Sequence, residues 1–215
     1  MKTKIVTLAI FVMATILTAP VHAQISFGTR HGVTISTLAK TGDLYDNEEM
    51  HFAYTGGIFV TAPVKGVFAI QPELNYICKG RSNESSEFIE SNYQSRYHYL
   101  QIPVLARFNT HLSMTEKTKV YFNAGPYASA LLKSQNKPEN VSDWKDDKYN
   151  DVDKDPDFGL VLGMGVTFPV NKLTLQADLR YDMGLSKLNY QPDDYRTKAL
   201  GITIGIIYGK SNTHS

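Results

Sequence analysis

The chain has 215 residues, 22 Lys+Arg against 21 Asp+Glu, and a formal net charge of +1. That balance, with no basic stripe, argues against a nucleic-acid partner, and a single cysteine, Cys78, excludes an internal disulfide. Beyond the N-terminal segment no apolar run approaches the roughly 20 residues of a membrane helix, so a closed barrel is the remaining spanning structure.

In chain order, Lys2 and Lys4 precede an apolar run from Ile5 to Leu17, and Val21-His22-Ala23 offers small residues for cleavage. This pattern predicts a signal peptide over 1–23, and a mature domain over 24–215. The leader's two lysines leave with it, so the mature balance becomes 20 Lys+Arg against 21 Asp+Glu. No cysteine follows the run, so a lipid anchor is not expected.

Eight segments then alternate apolar and polar residues: 26–38, 52–62, 67–79, 97–109, 119–132, 157–168, 173–186 and 198–208. Each is about the length of a tilted membrane strand. The connections alternate short (63–66, 110–118, 169–172) and long (39–51, 80–96, 133–156, 187–197). Short periplasmic turns and longer external loops predict an all-β fold: an eight-stranded antiparallel up-and-down transmembrane β-barrel with both ends in the periplasm. The prolines inside segments, Pro72, Pro103 and Pro126, each remove a ladder donor, and local bulges are expected there.

A period of two does not say which face is outside, since a soluble lipocalin-like barrel has the same period with an apolar interior. Three features place the apolar face on lipid. The polar face is rich in glycine, including Gly28, Gly32, Gly159, Gly163 and Gly165, which makes room in a narrow interior. The apolar face is almost without Lys or Glu. Its aromatics fall at segment ends: Phe27, Phe68, Phe108, Phe122, Phe168 and Tyr208 at the periplasmic rim, Phe52, Tyr54, Tyr76 and Phe158 at the other. Two aromatic girdles around an aliphatic band are what a bilayer selects. His31 is out of place on such a face and points to a bulge or a register change; His98 sits outward near the external rim.

The inward set then includes Arg30, Glu73, Asn75, Lys79, Gln101, Arg107, Asn123, Gln176, Asp178, Arg180 and Asp182, with Tyr99, Tyr121 and Tyr127 adding bulk. Buried charges of both signs are tolerable when mutually bonded. A barrel of this size has an interior just wide enough for side chains, so a filled polar lumen is expected rather than a pore.

Gln71-Pro72-Glu73-Leu74 with Tyr76, then Tyr99-Leu100-Gln101-Ile102-Pro103-Val104-Leu105, then Gly125-Pro126, then Asp157-Phe158-Gly159-Leu160-Val161 leading to Gly163 and Gly165, follow one another in this order. The ordered set resembles the PorT-like outer-membrane β-barrel proteins of the Bacteroidetes over nearly the whole mature chain. The resemblance implies an eight-stranded barrel, prolines as family features, and kinship with a member that takes part in protein secretion across the outer membrane. It brings no catalytic residues. The last segment, with Gly201, Ile204 and Ile206, also resembles the recognition signal of the barrel-assembly machinery, with Ala199 where a polar residue is usual.

The longest connection, 133–156, is the candidate functional surface. Trp144 and Tyr149 there can anchor a partner or pack on the loop itself. Asp151, Asp153, Asp155 and Asp157 recur at period two and could ligate Ca²⁺. The loop glycine and distal Glu of an EF-hand are absent, so a solvated acidic loop is expected. A lipid A-modifying enzyme would need an outward His, a nucleophile and a carboxylate to converge, and neither His31 nor His98 sits in such a pattern. The sequence thus predicts a non-enzymatic barrel of the bacterial outer membrane with no cofactor or metal. Its expected partners are membrane lipid, the assembly machinery and a protein at the external loops or periplasmic rim. A small channel and a lipocalin-like binder are the other readings.

Overall fold

The computed structural model describes residues 25–40, 51–83, 93–115, 118–138, 143–146, 156–171, 173–186, 188–190 and 193–208. Residues 1–23, over which a signal peptide is expected, and Tyr149, Asp151, Asp153 and Asp155 lie outside the described residues. Eight long strands form the barrel: β1 (Ser26–Lys40), β2 (His51–Lys65), β3 (Phe68–Asn83), β4 (Tyr93–Thr115), β5 (Thr118–Pro138), β7 (Asp157–Val170), β8 (Leu173–Gly184) and β10 (Asp193–Tyr208). Two short strands, β6 (Lys145–Asp146) and β9 (Leu188–Tyr190), add to the upper edges of β5 and β10. Each long strand pairs antiparallel with its neighbours in sequence, and β1 closes on β10 from Phe27↔Tyr208 to Lys40↔Tyr195. Closure removes the unpaired edge that lipid could not satisfy.

The strands run further than alternation predicts. The turns at one end are tight: Lys65 pairs with Phe68, Thr115 with Thr118 and Val170 with Leu173. Gly66 and Asn171 supply the positive φ, 57° and 55°, that two-residue hairpins favour. At the other end β3, β4 and β5 stay paired up to Asn83↔Tyr93 and Tyr93↔Pro138, so much of the expected loop at 80–96 and 133–156 is strand. The short-turn end is the periplasmic one by the usual barrel architecture.

The register fixes the shape. The row His31–Gly56–Tyr76–Leu100–Ala130 continues the other way round as Ile204–Ala177–Val166–Val120. One circuit therefore climbs β5 from Val120 to Ala130. A stagger of about ten residues over eight strands tilts them by about 40° and gives a radius of about 8 Å. Each residue then adds roughly 2.5 Å of height. On this scale Phe27, Phe68, Phe108, Phe122, Phe168 and Tyr208 lie within about 7 Å of one level, and Phe52 and Phe158 lie roughly 25 Å above it, the height of an apolar barrel band. Between the levels the outward residues include Leu162, Met164, Leu179, Ile202 and Ile204, all exposed on the isolated chain. Phe27 stacks on Tyr208 with ring centroids 6.2 Å apart, and Phe68 meets Phe108 at 5.3 Å.

Two local expectations are corrected. No register shift occurs at Pro72, Pro103 or Pro126: pairing skips a position or two beside each and resumes in the same register. The lost donor interrupts the ladder without inserting a residue. The bulges lie elsewhere, at Pro63/Lys65, at His98/Tyr99 and in Asn109–Thr115. Nor does His31 mark an irregularity. Arg30↔Gly57, His31↔Gly56 and Gly32↔Thr55 run without a shift, and the ring stays outward because its Nδ1 is bonded to the Tyr54 hydroxyl at 2.7 Å.

Candidate functional site

Inward parity brings Arg30 of β1, Glu73 of β3, Arg107 of β4, Asp178 and Arg180 of β8 to one tier of the lumen, all nearly inaccessible to solvent. Glu73 is its centre. It pairs with Arg30 on one side and with Arg180 Nη1 at 2.9 Å on the other. Gln71 Nε2 donates to its Oε1 at 2.7 Å and Asn75 Nδ2 to its Oε2 at 2.9 Å. Gln71 in turn accepts from Arg107 Nη1 at 2.8 Å and from the Thr61 hydroxyl at 3.1 Å. Arg107 lies over Tyr121, 3.6 Å from the ring centroid, and Arg30 lies over Phe59 at 5.3 Å. Asp178 accepts from the Tyr121 hydroxyl, from Gln176 Nε2 at 2.9 Å and from Thr203 at 3.4 Å.

A second tier sits nearer the external mouth. Lys79 Nζ donates to Asp157 Oδ2 at 3.2 Å and to the Thr197 hydroxyl at 3.1 Å. Tyr127 also donates to Asp157 Oδ2, at 3.1 Å, and Lys79 lies between the rings of Tyr99 and Tyr127, 5.3 and 5.4 Å from their centroids. Asp182 accepts from Gln101 Nε2 at 3.0 Å. Between the tiers is a cavity of about 20 Å³ lined by Arg30, Asn75, Gln101, Arg180, Asp182 and Thr203 among others, room for a water molecule rather than a solute.

Two residues of this network stand outside the inward polar set named from the sequence. Asp157 is absent from that set although it heads the segment 157–168 on the same face as Gly159 and Val161; it also ends the acidic run expected to be solvated, and the structure buries it against Lys79. With it the buried charges among the described residues balance: Arg30, Lys79, Arg107 and Arg180 against Glu73, Asp157, Asp178 and Asp182. Gln71, which bridges Arg107 to Glu73, carries no signal beyond inward parity. Asn123 is buried, but neither amide atom finds a partner. Glycines leave space for the large inward side chains: a Cβ on Gly28 would stand 2.2 Å from Phe59 Cζ, and one on Gly165 2.4 Å from the Tyr121 hydroxyl.

On the outer wall, a polar aromatic chain crosses the first strands. Tyr54 and Tyr76 rings lie 6.1 Å apart, and the Tyr76 hydroxyl meets His98 Nδ1 at 2.5 Å. His98 Nε2 faces Gln135 Oε1 at 3.1 Å, and Gln135 Nε2 donates to Asp146 Oδ1 at 3.1 Å. Both ring nitrogens of His98 are thus engaged by a tyrosine and an amide, not by a serine or a carboxylate. Cys78 is buried behind this layer. Trp144 is half-buried, stacked on the Arg96 guanidinium at 4.0 Å, so in this conformation it packs on the ribbon of β4 and β5.

The family described as outer membrane protein beta-barrel domain matches residues 18–190, most of the chain. The chain belongs to that family. No curated protein sequence matches it. Among solved structures it is similar to outer membrane protein OprG of Pseudomonas aeruginosa, at 10% identity over 86% of this chain and 95% of that one, with a TM-score of 0.51. It is also similar to Outer Membrane Protein W of E. coli (13% identity, 88% and 100% coverage, TM-score 0.46) and to Neisserial surface protein A (11% identity, 86% and 97% coverage, TM-score 0.47). At these identities the likeness is one of fold. The protein is an integral β-barrel of the bacterial outer membrane.

Proposed function

We propose that this outer-membrane barrel is a non-enzymatic scaffold that presents its external ribbon to a protein partner. The resemblance of its ordered motifs to PorT-like barrels of the Bacteroidetes supports protein secretion as the process. The carrying observation is the contrast between lumen and ribbon. The lumen is occupied by two tiers of mutually bonded charges, so the interior contributes rigidity rather than a path. The paired strands β3, β4 and β5 continue well above the external girdle: Pro138 lies ten positions past Ala128, which pairs with Phe158. A strand that outruns the bilayer gains nothing from lipid, and a rigid projection suits docking. Trp144, packed on this ribbon, and Tyr149, five positions on in sequence, are the proposed partner contacts, and the buried network from Arg30 to Asp182 holds the barrel that carries them.

Photocrosslinking in intact cells tests the reading. A photoreactive side chain at Tyr149 is expected to yield one discrete protein adduct, and the same group at lipid-facing Phe168 none. Lipid-only adducts at both positions, or stepwise conductance of the purified protein in planar bilayers, would contradict it.

A further inference from the structure

We propose that the outer face of β4 and β5, immediately above the membrane, binds the phosphorylated headgroup of an outer-leaflet glycolipid. This goes beyond the reading above, because it concerns the lipid side of the ribbon's base: Trp144 is common to both, whereas Arg96, Lys133 and Lys137 belong to the lipid site alone.

The bulge at His98/Tyr99 creates the site. Below it Leu131 pairs with Tyr99; above it Lys133 pairs with His98, so Leu132 is the extra residue. Inward parity would carry Lys133 into the lumen. The inserted residue turns Lys133, Gln135 and Lys137 outward, beside Arg96 and His98 of β4. Their contacts agree: Gln135 meets His98, Lys133 pairs with Asp146 at 2.8 Å, and Trp144 lies 4.0 Å from Arg96 and 5.9 Å from Lys137. By the height scale above, His98, Lys133 and Arg96 sit roughly 0–8 Å beyond the external girdle, where lipid phosphates lie, and Lys137 roughly 15 Å beyond it.

Charge and chemistry point the same way. Among the described residues the outward positions of β7 and β8 carry no charged side chain, whereas β4 and β5 carry Arg96, Lys133 and Lys137 in one sector. The opposing carboxylates are Asp143 and Asp146, beside a further cation, Lys145. The Lys133–Asp146 pair is half-exposed on both sides, at 49% and 55%, and such pairs are worth so little that a phosphate can take the lysine. Exposed Leu132, directly below, offers apolar contact to the same lipid's acyl chains. Cations above an apolar step, next to an aromatic ring, suit an amphiphile with an anionic head.

The chain's single tryptophan is inside the site, which gives the test its readout. The folded full-length protein in neutral detergent is titrated with bis-phosphorylated lipid A, and Trp144 emission is followed. A saturable change is expected that weakens as salt rises. Lys133→Ala should lower the affinity about fivefold, while Lys198→Ala, on the outer face of β10 away from the patch, should leave it unchanged. Equal binding of dephosphorylated lipid A would overturn the phosphate contact. An equal response to inorganic phosphate would reduce the site to a free-anion patch and overturn the lipid assignment. No change with lipid A overturns the proposal outright. If Lys133→Ala fails to fold, the salt series and the dephosphorylated lipid decide the matter on the unaltered chain.

Discussion

At the scale of single residues, the barrel depends on charges that cannot reach water. Glu73 pairs with two guanidiniums at once, so Glu73→Gln removes the direct ion-pair partner of both Arg30 and Arg180 and leaves four buried cations against three anions among the described residues. Breaking a buried pair in this way costs about 3–5 kcal/mol, which urea unfolding of the barrel in lipid vesicles should register. The lipid face holds a smaller version of the same problem. Tyr54→Phe removes the hydroxyl partner of His31, which sits roughly 10 Å above Phe27, near mid-bilayer. A loss of about 1–3 kcal/mol is expected, and the double change His31→Leu with Tyr54→Phe should recover most of it in the same assay. Parity alone says which residues turn inward; which of them meet is set by shear. Arg180 and Glu73 are 107 positions apart in sequence, and no local pattern brings them together.

At the scale of strands, alternation is legible wherever one face meets lipid and the other the lumen. That is why the eight segments stand out between the two girdles. It fails above the external girdle, where lipid no longer imposes an apolar face on β3, β4 and β5, so ribbon reads as loop. The bulge at Leu132 compounds this by reversing parity. Asp157 carries two readings at once: it heads the segment 157–168 with inward parity, and it closes a run of carboxylates at the same spacing; it begins β7 and is buried, so the strand reading holds. The prolines teach a further lesson, since a missing donor can be absorbed by a local gap in the ladder while the register holds. Beside Pro126, β4 and β5 approach closely at Gly125, where a Cβ would stand 2.1 Å from the Val104 carbonyl oxygen. Only backbone is there to yield, so Gly125→Ala should cost about 1–3 kcal/mol in the unfolding assay and slow insertion into vesicles.

At the scale of the whole molecule, the apolar face is the outer wall and the charges fill the inside. A depth dependence follows. Leu162→Arg places a cation at mid-height and should destabilise the barrel by about 2–4 kcal/mol, whereas Phe168→Arg at the periplasmic girdle should cost about 0–1 kcal/mol. An inverted barrel would show no such gradient, because both residues would then line a cavity. The family match and the likeness to solved barrels secure the architecture, while the partner is a question for the ribbon.

The most direct measurement is the gel mobility of the protein from purified outer membranes, with and without boiling. The account predicts that the protein is found in that fraction and that the unboiled sample migrates apart from the boiled one, as a closed, charge-locked barrel resists detergent until heated. Recovery from the soluble periplasm, with one mobility before and after boiling, would contradict it and turn the apolar residues inward around a ligand.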